Sequence, residues 1–362
     1  MTSTNVHRLR TNDLELGATE AVQQHLSRHV VAGKPVSQRK LDFEHARPRW
    51  LRECMAEATG VFFYVFPGIA AITSFYINAA QPNPTAFGSI FQIGWGFAMG
   101  IAFAIITCGS TSGGHFNPAI TICFAVWQGF PWRKVPYYIF SQIFGAFMAG
   151  MLLMGMYWPE IQEFKAATLA AGKPLVFNGG PASILCTFPN PNQTNLGYLF
   201  LTEFFVDSYI GLVIWACLDP ANPFVSAAGA PFAIGLAYAT MVWGFADVSI
   251  STNLARDLGT RIVAAIFFGG EAFTYMNYSW IAILVNVPAT LFATGYYELL
   301  LRDSLSKIGK GHAVHEEGEE GLQRHITRTG VIETGAANML RDRQQNDSSD
   351  EYGLTKKSNH IE

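Results

Sequence analysis

Apolar residues along this chain gather into six long runs and two short ones, set apart by brief polar interruptions. The long runs cover roughly 53–77, 88–109, 135–157, 197–218, 229–247 and 277–301. Each is close to the ~20 mostly apolar residues that a helix needs to cross a bilayer. The short runs, about 117–128 and 253–268, cannot cross alone. Each opens on the pattern Asn-x-Ala: Asn117-Pro118-Ala119 in the first, Asn253-Leu254-Ala255 in the second. An Asn so placed caps a helix through its side-chain oxygen and leaves a ring of backbone N–H groups at membrane depth. Such irregular backbone is tolerated there only where it is buried in protein or lines a polar path.

The pattern repeats in two halves. Each half begins with a span carrying an early acid, Glu57 or Glu203, and delivers its short run after its second span. Three spans per half turn the second half over. The expected fold is therefore an all-α membrane protein of six transmembrane helices plus two re-entrant half-helices in an inverted repeat, with the half-helices entering from opposite faces and meeting near the midplane. An ionisable residue inside a span is costly and signals function or a specific partner. Glu57 and Glu203 are best placed to accept hydrogen bonds from the irregular backbone before each half-helix, so we read them as structural braces rather than pore-lining charges. Asp207, one turn after Glu203, either joins that network or faces a water-filled vestibule.

Composition agrees: 50% of residues are hydrophobic, 14% are charged, and the mean hydropathy is +0.20, which excludes a soluble two-domain enzyme. Of 24 Lys and Arg, only six fall between residues 53 and 301. The chain thus divides into a tail over 1–49, a membrane domain over 50–301 and a second tail over 302–362. Both tails are polar and expected to be largely disordered, although 13–29 carries the pattern of a short helix. Arg47, Arg49 and Arg52 precede the first span, Arg133 and Lys134 the third, and Arg302 and Lys307 follow the sixth, which places both termini in the cytoplasm. The first 49 residues lack an apolar core, so the first span is the expected insertion signal. The long connection from 157 to 195 then lies outside.

Asn192-Gln193-Thr194 and Asn277-Tyr278-Ser279 are sequons, making Asn192 and Asn277 candidate glycosylation sites, although such short motifs also arise by chance. Basic residues near Ser304, Thr327 and Thr329 could attract kinases, but a solvated tail is the plainer reading. A net charge of −3 suggests no nucleic-acid partner. Cys54, Cys108, Cys123, Cys186 and Cys217 show no metal spacing and no obvious pairing, and no metal or cofactor is implied.

With Ser112-Gly113-Gly114-His115-Phe116-Asn117-Pro118-Ala119 and Asn253-Leu254-Ala255-Arg256-Asp257 inside six spans, residues 50–301 resemble the major intrinsic proteins, the aquaporin and aquaglyceroporin family. The long tails and outer loop look like those of fungal members. The chemistry also stands without the name. Each half-helix places about half a positive charge at its N-terminus, so the middle of a path between them repels cations and orients water by its oxygen, while neutral solutes pass. Pro118 sets the entry angle of the first half-helix. Leu254 departs from the family's usual proline, which predicts a less rigid or wider centre.

The resemblance implies further site residues. Arg256 is expected at a narrow outer filter, its charge repelling cations and its planar N–H groups donating to hydroxyls. Asp257 after it resembles the glycerol-conducting branch. Counting along the family pattern adds Ile250, Phe97 with Trp95 as the alternative, and Met241 with Thr240 as the alternative; an aromatic stripe here could equally be packing. Strict water channels of this family carry a His in the fifth span. This chain has none between 116 and 311, which implies a wider, less polar filter. His115 is expected at the inner mouth, neutral and hydrogen-bonded rather than acting as a pH sensor. The resemblance also implies a homotetramer with one pore per subunit.

The expected function is a passive channel in the plasma membrane for water and small neutral solutes such as glycerol, excluding protons and ions. A secondary transporter, which also uses inverted repeats and broken helices, is the alternative. An enzyme is not expected: Ser110 and Ser112 lie near His115, but sequence neighbours rarely form a catalytic dyad.

Overall fold

The computed structural model describes residues 35–79, 83–86, 88–309 and 311–329, and all regular structure among them is helical. The chain separates into two compact units, Met1–Leu51 and Arg52–Glu362. In the first, helix α1 (Gln38–Ala46) is capped by Ser37, whose Oγ accepts from the Lys40 N–H at 3.3 Å, and it buries none of its residues.

The second unit holds the apolar helices. Helix α2 (Arg49–Ile77) leads into it and is followed by α3 (Ile90–Ser112), α4 (Pro118–Trp127), α5 (Val135–Met156), α6 (Trp158–Ala170), α7 (Leu196–Leu218), α8 (Ala230–Phe245) and α9 (Leu254–Phe268). The last span comprises α10 (Ser279–Leu284), α11 (Asn286–Tyr296) and a π-helical turn over Tyr297–Leu301. Pro288 explains the break between α10 and α11, because it has no N–H for the carbonyl one turn back. Among the described residues, five helical segments are long and apolar enough to cross a membrane, and α4 and α9 are the two half-helices. This is the all-α membrane architecture that the hydrophobic pattern predicts.

Close helix packing rests on small residues, as it does where lipid offers no hydrophobic driving force between helices. Each half-helix seats on the third span of the opposite half, α4 against α11 and α9 against α5. At Gly259 of α9 a Cβ would stand 2.6 Å from the Ile143 carbonyl oxygen and 2.8 Å from the Phe147 nitrogen, so only glycine permits that approach. Gly211 of α7 similarly faces Thr290 and Ala293 of α11.

Three details refine the expected topology. The fifth span, expected over 229–247, is a helix of 16 residues, about 24 Å long at 1.5 Å per residue, because the chain turns away after Phe245 toward the second half-helix. The connection from 157 to 195 carries structure of its own: it forms α6 and a short turn over Pro181–Ile184, and buries Ile161, Val176, Ile184, Leu185, Cys186 and Phe188. The tails, expected to be largely disordered, include α1 and, after residue 302, helices Ser304–Gly309 and α12 (Gly318–Thr329). Helix α12 buries Leu322 and carries Glu319 and Glu320 in its first turn, where acidic side chains favour the dipole. Thr327 and Thr329 each bond a carbonyl one turn back. Residues 1–34, with the short helix expected over 13–29, and 330–362 lie outside the described residues.

Gly259→Leu is expected to destabilise the protein by about 1–3 kcal/mol through overpacking against α5 backbone. Gly155→Ala, where an added Cβ meets nothing within 4 Å, should leave stability unchanged. Thermal unfolding of the two variants in detergent checks the contrast.

Candidate pore

The chain enters each half-helix through a residue in the left-handed region, Phe116 at φ 49° and Thr252 at φ 65°. Neither is a glycine, so both conformations need outside support. A buried carboxylate supplies it in each case. Glu57 Oε2 accepts from Phe116 N at 2.8 Å and Gln142 Nε2 at 2.7 Å, while Oε1 accepts from His115 N at 3.1 Å and Ser112 Oγ at 2.6 Å. Glu203 Oε1 accepts from Thr252 N at 2.6 Å, and Ser251 N donates to both of its oxygens at 2.9 and 3.0 Å.

The left-handed turn aims each carbonyl across the molecule. Asn253 Nδ2 donates to Phe116 O at 2.8 Å, and Asn117 Nδ2 donates to Thr252 O at 3.2 Å, so the two half-helices meet at their N-termini. Asn286 Nδ2 adds a second bond to Thr252 O at 2.8 Å. The amide oxygens face the other way and cap. Asn117 Oδ1 accepts from Ala119 N at 2.9 Å, and Asn253 Oδ1 accepts from Ala255 N at 2.9 Å and Arg256 N at 3.2 Å. Pro118 and Leu254 occupy the first helical positions, and Ala119 and Ala255 are fully buried behind them.

Two cavities flank this centre. The larger, about 430 Å³, is lined by both motif asparagines and by Phe116, Thr252, Tyr64 and His115 among others. His115 is buried, with Nδ1 3.2 Å from Thr121 Oγ1 and its ring stacked on Phe124 at 4.4 Å. The smaller cavity, about 330 Å³, is lined by Arg256, Ile250, Phe97, Val242 and Tyr238 together with Thr187 and Phe188 of the α6–α7 connection. The Arg256 guanidinium lies 5.6 Å from the Phe97 ring centre and its Nη1 is 3.4 Å from Asp257 Oδ2. Its Nε is buried with no hydrogen-bond partner among the described residues.

Asp257 braces the wall of this cavity. Its Oδ1 accepts from Arg261 Nε at 2.5 Å and its Oδ2 from Thr187 Oγ1 at 2.9 Å. Arg261 in turn donates to Thr187 O at 2.7 Å and Ala272 O at 2.6 Å. The pair thereby fastens the α6–α7 connection onto α9.

The structure places Asn117 and Asn253 at the larger cavity and Phe97, Ile250 and Arg256 at the smaller one, but not every expected neighbour joins them. Met241 and its alternative Thr240 are not among the lining residues; α8 presents Tyr238 and Val242 instead. The chain between Phe245 and Asn253 turns through Ser249 at φ 131°, so counting back along a fixed spacing misses the register. Trp95 is 37% exposed and packs with Phe91 and Trp243, leaving Phe97 at the cavity. Asp207 lines neither of these cavities and is buried with both oxygens outside hydrogen-bond geometry among the described residues. Asn192 and Asn277 are exposed.

Four residues escaped the sequence reading: Tyr64, Tyr238, Arg261 and Asn286. Arg261 had a visible signal, a cation one turn after Asp257 in an apolar run. Tyr64 sits seven residues after Glu57 and so shares its helix face.

Paired half-helices meeting end to end between apolar spans, with a cavity on either side, define a polytopic membrane channel. The sequence model of the major intrinsic protein family matches residues 44–288, and the chain belongs to that family. It is 42% identical over 279 residues to Aquaporin-3 of Laccaria bicolor, covering 76% of this chain and 84% of that one. It is 34% identical over 254 residues to Aquaglyceroporin-2 of Rhizophagus irregularis, covering 69% and 77%. The X-ray structure of the aquaglyceroporin from Plasmodium falciparum shares the fold, with a TM-score of 0.61 and 23% identity over 72% of this chain and 99% of that chain. Membership makes this a multi-pass membrane channel for water and small solutes, not an enzyme.

Glu203→Gln would turn one acceptor oxygen into a donor facing backbone N–H groups. Hydrogen bonds to a charged group contribute about 1.5–3 kcal/mol, so a loss of that size is expected in thermal unfolding, with flux reduced at least tenfold. Asp207→Asn, at a site where neither oxygen meets hydrogen-bond geometry and the Asn286 amide is a polar neighbour, is expected to shift the unfolding temperature far less than Glu203→Gln.

Proposed function

We propose that this channel passes water and small neutral solutes such as glycerol passively and excludes protons and ions. The observation that carries this reading is the meeting of two half-helix N-termini, each capped by an Asn that lines the larger cavity. Two positive dipole ends at one point disfavour any cation there, and neutral hydrogen-bonding solutes face no such penalty. Arg256, buried at the smaller cavity, adds a fixed positive charge on the same path. Relatives whose names include aquaporin and aquaglyceroporin agree with a range that extends from water to glycerol.

On this reading the larger cavity opens to the cytoplasm, with both termini on that side, and the smaller one opens outside. Each subunit carries its own path within a homotetramer in the plasma membrane, and Asn192 and Asn277 are available for glycosylation on the outer face. The transporter alternative needs a carboxylate at a substrate or ion site within the membrane. Glu57 and Glu203 are occupied by backbone donors, Asp207 lines neither cavity, and the carboxylates that do line them, Asp219 and Asp247, stand beyond the ends of α7 and α8 rather than within a span.

Stopped-flow volume changes of proteoliposomes after sugar and glycerol challenges test the reading. Water flux and glycerol entry are both expected well above empty vesicles, unsaturated and independent of a proton gradient. Arg256→Ala is expected to raise the glycerol-to-water ratio at least threefold and to admit protons. Asn253→Asp, which sets a carboxylate against the Phe116 carbonyl, should cut water flux at least tenfold. Saturable, gradient-dependent entry would instead establish a transporter.

A further inference from the structure

Tyr238 of α8 lines both cavities and is the one residue common to the two linings. Tyr64 of α2, from the other half of the chain, donates its hydroxyl proton to Tyr238 Oη at 3.0 Å. The two rings meet edge to face, with centres 5.5 Å apart and planes at 79°. Phe97 packs against both, at 5.7 Å from Tyr64 and 5.4 Å from Tyr238, and so ties the pair to the Arg256 region. Both tyrosines are buried, at 3% and 6% exposure. They therefore form a septum between the cavities rather than part of an open wall.

We propose that Tyr64 and Tyr238 are a specificity-determining constriction, a hydroxyl-to-hydroxyl latch that a permeant must part and then replace with its own hydrogen bonds. The inference rests on the channel reading above. Each phenol carries one donor and one acceptor. Parted, the pair offers both to water or to a small polyol, whereas a solute of similar size with fewer hydroxyls leaves a buried polar group unpaired. Discrimination of that kind is large where a site is built to bond a hydroxyl. Most of the neighbouring wall sharpens it: Ile210 and Ile234 on one side and Val242 and Ile250 on the other supply no competing hydrogen bonds, and Thr252, the polar side chain within reach of both phenols, already gives its own proton to Ser251 O. The latch thus counts hydroxyl groups where Arg256 rejects charge.

The test uses the full chain in proteoliposomes, with glycerol, 1,3-propanediol and erythritol as probes alongside water. Tyr64→Phe and Tyr238→Phe keep both rings and remove one hydroxyl each. They are expected to reduce the preference for glycerol over 1,3-propanediol at least fivefold. Tyr238→Ala removes the septum, and erythritol is expected to enter at least tenfold faster than through the wild type. If the wild type conducts water but both Phe variants keep its preference within twofold and Tyr238→Ala still excludes erythritol, the latch is wrong and the channel stands. If neither wild type nor Tyr238→Ala conducts above empty vesicles, the channel reading fails and the latch falls with it.

Discussion

Two side-chain amides, each donating to a backbone carbonyl in the opposite half of the chain, hold the centre of this protein together. Asn253 reaches Phe116 O and Asn117 reaches Thr252 O, and those carbonyls point inward only because Phe116 and Thr252 adopt left-handed conformations. Such a residue costs about 1–3 kcal/mol and persists only where its surroundings over-determine it. Glu57 and Glu203 do so from about two turns inside the first span of each half. Their own burial is tolerated because both oxygens of each accept hydrogen bonds. Carboxylate, turn, carbonyl, amide and half-helix form one dependency, and removing a link releases the next.

That centre is reachable only because helices approach closely around it. Gly259 lets α9 lie against α5 backbone, and α4 seats on α11, so each half-helix is clasped by the half it does not belong to. The halves then diverge. The first surrounds its half-helix with aromatic rings about His115, while the second has the α6–α7 connection tied to α9 through Asp257 and Arg261. A repeat with matching braces thus ends in two unlike cavities.

On the proposed path a solute meets these features in sequence, and each reads a different property. A fixed guanidinium reads charge, a pair of phenols reads hydrogen-bonding capacity, and opposed dipole ends read the sign of any charge that remains. Separation of the three along one path allows selectivity without tight binding, which suits passive flow.

The fold was legible in the chain because its determinants are local. A run long enough to cross hydrocarbon, a run too short to do so, an Asn before that short run and an acid early in a span each express constraints within a few helical turns. Asn117, Asn253, Glu57 and Glu203 could be singled out on those grounds alone. What faces what across the molecule is not local. Whether α8 turns Met241 or Val242 toward a cavity is a shift of one residue, about 100° around the helix axis, set by packing against α3 and by the irregular stretch before Asn253. The folding of the 157–195 connection depends on the wall it covers, and the meeting of Tyr64 with Tyr238 joins residues 174 apart. By itself the sequence determined how many times the chain crosses and where it breaks, since both follow from hydrophobic length and capping. Only the tertiary structure decided which side chains meet in the path, since that depends on how rigid helices from two halves rotate into contact.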